Sequence, residues 1–344
     1  MGKLVSLVIP CFNVEKYINR CLTSIVNQTI GIENLEVIVI DDASYDSTWN
    51  ILLEWEQKYP DNFVLIQHEK NKKQGAARNT GLCYVTSPYI SFIDADDWIE
   101  STMLELMYTK ITAMNLDAIG CGYHRAVSDN DTIKEKTGKG FFYDYSSELQ
   151  KRKLVLHGCP GYVSGKLYRT SLMQEYQIFF PEQCYYEDID WKDQFSLHLT
   201  RYYELEDKLY YYFVNPQSTT MQSTCDRHFD RFLVELNRLE RYKKLELFEK
   251  YKSELEFHFI KVFYLNTLYI FLSRCNDFTP KILSYMQSTL KTEFPNYTKN
   301  CYLESELTKL EQYLLRTVEM DLSQSELNQL TNSLRKDIGV EKVE

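Results

Sequence analysis

Leu35-Glu36-Val37-Ile38-Val39-Ile40-Asp41-Asp42-Ala43-Ser44 is a nearly unbroken apolar run that stops on two carboxylates and a turn. Apolar side chains at successive rather than alternate positions read as a strand buried on both faces. The same design occurs twice more. Residues 5–9 end in Pro10-Cys11-Phe12-Asn13, and residues 89–93 end in Asp94-Ala95-Asp96-Asp97. After the first strand, Val14, Ile18, Leu22 and Ile25 fall at helical spacing, with Asn13 in position to cap the helix. A helix over 47–59, a strand over 63–66, helices from about Gly75 and over 100–114, and a strand over 118–123 complete the pattern. This alternation predicts an α/β fold with a mostly parallel, Rossmann-like sheet flanked by helices.

The pattern weakens after Val127. Residues 128–140 are polar and charged and read as a loop or hairpin, and a mixed segment with a strand over 209–213 runs to about Asn215. From Arg227 onward the chain turns to amphipathic helices, with Phe232, Leu236, Leu239 and Tyr242 on one face, and later Leu303, Leu307, Leu310 and Leu314. The expected organisation is an α/β domain over 1–220, with halves 1–125 and 126–220, and a C-terminal helical region over 221–344 that frays from Lys336. A packing or homo-oligomerising bundle is the plainest reading of that tail.

The net charge of -10 argues against a nucleic-acid partner, which needs a basic stripe. Nine cysteines form no CxxC pair, so they read as reduced core thiols rather than a disulfide frame or zinc site. Residues 4–9 are too short for a signal-peptide core. Met1-Gly2 with Ser6 fits the myristoylation pattern, but Ser6 falls inside the first strand. The apolar stretch 257–272 is interrupted by Lys261 and Asn266 and is too short to span a bilayer. These features predict a soluble cytoplasmic protein, at most associated with the inner face of the membrane.

Ligands of open parallel sheets bind at the carboxyl ends of the strands, so the residues there carry the functional argument. Asp94, Asp96 and Asp97 crowd one strand end and repel one another unless a cation or a proton intervenes. An oxygen-only set without His or Cys suits a hard ion, Mn2+ or Mg2+; capping of the following helix is the structural alternative. Lys70, Lys72, Lys73 and Arg78 around Gly75 supply positive charge, and the Arg78 guanidinium suits a phosphate. Tyr185-Tyr186-Glu187-Asp188-Ile189-Asp190-Trp191 sets three carboxylates among aromatic rings. Asp188 there is a candidate general base; an acidic first helical turn explains the same letters.

Taken together, these stretches resemble the family 2 glycosyltransferases. The matching residues are Val5-Ser6-Leu7-Val8-Ile9-Pro10 with Phe12-Asn13 and Glu15-Lys16-Tyr17; Asn27-Gln28-Thr29; Val39-Ile40-Asp41-Asp42-Ala43-Ser44 with Asp46; Gly75-Ala76-Ala77-Arg78-Asn79 with Gly81; Asp94-Ala95-Asp96-Asp97; Lys166-Leu167-Tyr168-Arg169; and Glu187-Asp188. They span roughly residues 4–215. The resemblance implies a GT-A fold and an inverting, metal-dependent transfer of sugar from a nucleotide-diphospho-sugar, with a UDP-sugar favoured. The acceptor would be a hydroxyl of a glycan, lipid-linked saccharide or polymer. In that scheme Pro10 and Asn13 lie beside the nucleotide, Asp42 meets the base with Asp41 supporting the turn, and Arg78 reaches the base or diphosphate. Asp94 belongs to the donor site, Asp96 approaches the ribose and the metal, Asp97 takes the metal, and Asp188 is the catalytic base. Glu187 and Lys166 would face the acceptor.

Two departures qualify the carry-over. Gly165 stands before Lys166 where similar enzymes often have Asn, and the Gln-x-x-Arg-Trp signature of processive membrane synthases is absent, which points to single-sugar transfer. Competing readings are a nucleotidyltransferase, disfavoured because residues 10–13 hold no glycine, and a catalytically degenerate transferase serving as a partner subunit.

Overall fold

The computed structural model describes residues 2–128, 137–214 and 224–337. Most of the loop expected at 128–140, the boundary expected at 220/221 and most of the frayed end lie outside the described residues. The chain divides into two compact units: residues 1–151 with 158–215, and residues 152–157 with 216–344.

The first unit is built on a nine-stranded sheet in the order β3-β2-β1-β4-β8-β6-β9-β5, with β7 also on β9. The strands are β1 (Val5–Cys11), β2 (Leu35–Asp41), β3 (Phe63–Gln67), β4 (Tyr89–Phe92), β5 (Trp98–Ile99), β6 (Ala118–Ala126), β7 (Gly140–Asp144), β8 (Lys166–Arg169) and β9 (Arg201–Phe213). The helices are α1 (Ile18–Val26), α2 (Thr48–Lys58), α3 (Lys73–Leu82), α4 (Met103–Ala113), the start of α5 (Glu148–His157), α6 (Thr170–Glu175) and α7 (Glu187–His198). β1, β2, β3 and β4 pair in parallel, as do β6 and β9, whereas β8 runs antiparallel to both β4 and β6.

Every residue of β1 and β2 is buried, which is why those strands lack alternation. Ile18, Cys21, Leu22 and Ile25 turn one face of α1 into the same core as Leu7, Ile9, Val37 and Val39. Each such aliphatic side chain contributes about 1.5–3 kcal/mol by leaving water.

The site is positioned by the way β1 parts from β4. Their register ends at Val8↔Phe92, while β1 stays beside β2 through Cys11↔Asp41. Val8 O accepts from Ile93 N on the β4 side. Alternation along the strand turns Pro10 to that same side, one step past the last β4 partner, where its missing N–H costs no ladder bond. A crevice between β1 and β4 is where a sheet of this order opens to a ligand.

Several expectations are corrected. Asn13 is not a helix cap: α1 begins at Ile18, and Asn13 adopts φ +53° in the loop before it. The tail leucines do not lie on one helix, because Thr308 and Glu311 form a capping box that starts a new one after Leu307. The apolar stretch expected to be too short for a span lies within a 23-residue helix, Lys252–Arg274, that is long and apolar enough to cross a membrane by length and composition. Most of that apolar stretch is buried within the protein.

That helix is the core of the second unit. It comprises α9 (Lys252–Phe259), a π-helical segment (Ile260–Asn266) and α10 (Thr267–Arg274). Around it are α8 (Asp230–Lys244), α11 (Pro280–Glu293), α12 (Leu303–Glu306), α13 (Lys309–Leu315) and α14 (Gln324–Asp337). Leu255, Phe259, Phe263, Leu268, Phe271 and Leu272 are among its buried residues. The π bulge is stitched by Thr267, whose Oγ1 donates to Val262 O at 2.9 Å and accepts from Arg231 Nε at 3.0 Å. Residues 152–157 belong to this unit through Arg152, paired with buried Glu254 at 3.0 Å, and through Arg238 Nη2, which donates to Val155 O.

Candidate active site

The loops after β1 and β2 are braced against each other. Asn13 N donates to Ser44 Oγ at 2.9 Å, and Tyr45 N donates back to Asn13 Oδ1 at 3.0 Å. Asp46 ties Glu15 N to Thr48 N, the first amide of α2. Asp41 is wholly buried, accepting from Gln67 Nε2 and the Ser44 amide. Asp42 accepts from the Lys72 amide on both oxygens, at 2.9 and 3.1 Å, and lies 2.7 Å from His68 Nδ1. The other ring nitrogen of His68 meets Thr80 Oγ1 at 2.9 Å. A chain Asp42–His68–Thr80 thus runs from the end of β2 to the last turn of α3. Sequence reasoning missed His68, although it directly follows the carboxyl end of β3 and the rule applied to the other strand ends singles it out.

At the end of β4 the acidic residues differ in environment. Asp97 is buried, with Oδ1 accepting from Phe213 N at 2.8 Å. Its Oδ2 is sealed beside the Tyr210 phenol without a well-formed hydrogen bond. Burial first, then the charges of Asp94 and Asp96, push the Asp97 pKa well above the usual carboxylate range. Asp96 is half-buried, and its carbonyl accepts from Arg20 Nη2 at 2.6 Å. Arg20 also stacks on Trp98, with the guanidinium 3.9 Å from the ring centre. Asp94 accepts from Gln74 Nε2 at 2.8 Å and Arg78 Nη2 at 2.9 Å.

Arg78 joins this strand end to α7. Nη1 donates to Glu187 Oε1 at 2.6 Å while Nη2 holds Asp94, and the guanidinium lies 5.1 Å from the Phe180 ring centre. The side chain is 5% exposed. Burial lowers its pKa, but Asp94, Glu187 and Asp188 together raise it further, so the group stays charged. Gly75 permits the approach: a Cβ there would sit 2.3 Å from Pro181 O. Burial raises the Glu187 pKa, partly opposed by Arg78. Asp188, half-buried, has no hydrogen-bond partner among the described residues.

The structure therefore gathers Arg78, Asp94, Glu187 and Asp188 into one charged group, with Asp96 and Asp97 beside it. Pro10 lies near the carboxyl end of β1, past its last β4 partner, and Asp41, Asp42 and Asn13 stand at the next strand and loops. Arg78 is committed to two carboxylates and Glu187 to Arg78, so each serves first to hold others in place. Lys166 is not in this group. It is buried, and its Nζ donates to Tyr162 O at 2.5 Å beneath the loop ending at Gly165. Gly165 takes φ +66°, a conformation Gly and Asn both accept, and a Cβ there would meet Tyr123 Oη at 2.7 Å. Tyr123 packs on Tyr210, the phenol that accepts from Asp94 N.

A sheet open between β1 and β4, with carboxylates from two separate stretches at its carboxyl edge, defines a GT-A-type transferase. The chain belongs to glycosyl transferase family 2, whose family model matches residues 6–176. It is 28% identical over 242 residues to EpsJ of Bacillus subtilis (strain 168), named an uncharacterized glycosyltransferase, covering 67% of this chain and 68% of that one. It is 34% identical over 178 residues to the poly(ribitol-phosphate) beta-glucosyltransferase of Bacillus spizizenii, covering 52% of this chain and 27% of that longer protein. Among solved structures, residues 1–349 of S. aureus TarS in complex with UDP align with a TM-score of 0.63 at 21% identity, over 98% of this chain and 91% of that one. That likeness is one of fold.

Proposed function

We propose that this protein is an inverting, metal-assisted glycosyltransferase that moves one sugar from a nucleotide-diphospho-sugar, a UDP-sugar in the first instance, to the hydroxyl of a surface-glycan or teichoic-type polymer. The observation that carries this reading is Arg78. By binding Asp94 and Glu187 at once, it holds the start of α7, and with it Asp188, against the acidic end of β4. The acceptor class is supported by a relative: the beta-glucosyltransferase above is named for poly(ribitol-phosphate).

Asp188 suits the base that removes the acceptor hydroxyl's proton during attack on the anomeric carbon. A carboxylate with unused lone pairs is free for that proton. Direct attack opposite the departing diphosphate inverts the anomeric centre. Asp42 and the braced loops hold the nucleotide, with Pro10 forming the floor of the crevice.

The oxygen-only donors fit a hard divalent cation: burial first, then two neighbouring carboxylates, push the Asp97 pKa up, and its Oδ2 lacks a good partner. Asp96 is the more exposed of the two and would meet the ion, with Asp97 behind it. When bound, Mn2+ or Mg2+ supplies charge stabilisation to the leaving diphosphate. Release of nucleoside diphosphate from UDP-, GDP- and dTDP-sugars, with a poly(ribitol-phosphate) acceptor and with or without Mn2+, tests the reading. Metal-dependent release from one donor supports it; no release from any donor removes it.

A further inference from the structure

The helical unit brings together side chains that lie far apart in sequence. Cys225 and His228 bracket a 3-10 turn (Asp226–His228) just before α8, and Cys275 and Asp277 follow the end of α10. Ligand atoms of Cys225, Cys275 and Asp277 all lie within 4.8 Å of one another. The two sulfurs are in hydrogen-bond contact, and Cys275 also touches the His228 ring. Asp277 is fixed toward the pair, its Oδ1 accepting from Cys225 N at 2.9 Å. Cys225, His228 and Cys275 are buried, while Asp277 faces solvent.

From this geometry we infer a structural zinc site formed by Cys225, His228, Cys275 and Asp277, pinning the start of α8 to the end of the central helix. The donor set is two thiols, an imidazole and a carboxylate, soft and borderline ligands that select Zn2+ over the hard ions of an all-oxygen site. A tetrahedral zinc site holds its ligand atoms about 3.3–3.8 Å apart, so the Cys225, Cys275 and Asp277 atoms, within 4.8 Å of one another, need only a small contraction, and His228, already in contact with Cys275, is the fourth ligand. The wall around it is already fixed. Arg335 Nη2 donates to Cys275 O at 2.6 Å and Arg335 Nε to Leu272 O at 3.0 Å, clamping the backbone that carries two of the ligands. His228 packs edge-on against Phe271. Binding displaces the two thiol protons to solvent, leaving two thiolates, one carboxylate and neutral imidazole around the ion. No CxxC pair signals the site, because each element contributes one cysteine and one harder ligand at a spacing set by its own turn.

The test uses the full chain, purified without chelator from zinc-supplemented cells under reducing conditions. Metal analysis is expected to find one zinc per chain that the Asp96→Asn variant keeps and the Cys225→Ser/Cys275→Ser double variant loses. Asp277→Asn should weaken retention by at least the roughly ten- to hundred-fold that an outer-shell change costs. Stripping zinc should lower the Tm of the wild type but not that of the double variant. Should the double variant fail to fold, cobalt substitution of the wild type decides. A thiolate-to-cobalt charge-transfer band supports the site, and cobalt bound without that band overturns it. Recovery of a Cys225–Cys275 disulfide in place of zinc, or a zinc content equal in wild type and double variant, overturns it as well.

Discussion

Arg78 Nη1 reaches Glu187 Oε1 at 2.6 Å, across 109 residues of sequence, while its other terminal nitrogen holds Asp94. One guanidinium therefore ties the acidic end of a central strand to the first turn of α7. Two of the five N–H donors of the guanidinium are thereby committed to carboxylates, one on each terminal nitrogen. Arg78 is a positioning residue in this account, and Asp188 is the group it positions.

Arg78→Lys should leave Glu187 or Asp94 without its partner. Breaking a buried pair costs about 3–5 kcal/mol when the partner is left charged; Lys retains part of this, so the Lys variant should fold with reduced urea stability. Its kcat should fall well beyond the change in donor affinity. A variant with unchanged kcat would show that the bridge does not set the geometry of Asp188.

Gly75→Ala places a methyl group 2.3 Å from Pro181 O. Backbone cannot yield as a flexible side chain does, so α3 and the segment before α7 must separate, at a cost of about 1–3 kcal/mol. Lower kcat with little change in helix content by circular dichroism is expected. Normal activity would mean that the approach of these segments is not needed.

Asp42→Ala removes a carboxylate bound by Lys72 N and His68. If Asp42 also meets the nucleotide base, the loss of one hydrogen bond to a charged group, about 1.5–3 kcal/mol, should raise the donor KM by about ten- to hundred-fold. The kcat should change little. A fall in Tm with an unchanged KM would make Asp42 purely a loop brace.

Asp46 gives a pH signature. Burial alone would raise its pKa, but the hydrogen bonds from Thr48 and the Glu15 amide hold it below the ordinary 3.8. A depressed carboxyl pKa contributes stability that is present above 3.8 and is lost as pH falls through the folded value. Asp46→Asn keeps only one of the two acceptor oxygens used by the Glu15 and Thr48 amides, so it should be less stable than the wild type at neutral pH. The gap should close below pH 3.8. Parallel urea titrations of both proteins across that range check it; a gap independent of pH would contradict the assignment.

Much of the first unit is legible in the sequence because its signals are local. The buried runs of β1 and β2 and the amphipathic spacing of α1 each lie within one element, and Asp42, Asp96 and Asp188 follow from motifs at element ends. The parts that escaped depend on distant partners. β8 is four residues long and antiparallel, with no periodicity to betray it, and Glu187 shows its role only once Arg78 is placed. Asn13 has the letter of a helix cap, but its side chain is taken by the Tyr45 amide. The long helix Lys252–Arg274 was hidden because Lys261 and Asn266 break the apolar run without breaking the helix.

The most direct measurement is the turnover of Asp188→Asn, read as nucleoside diphosphate released in the presence of acceptor and Mn2+, alongside donor affinity by calorimetry. The account predicts a loss of about 10²–10⁴-fold in kcat, the usual contribution of a general base, with donor Kd within about threefold of wild type because uniform binding is untouched. Near-normal turnover in that variant would contradict it.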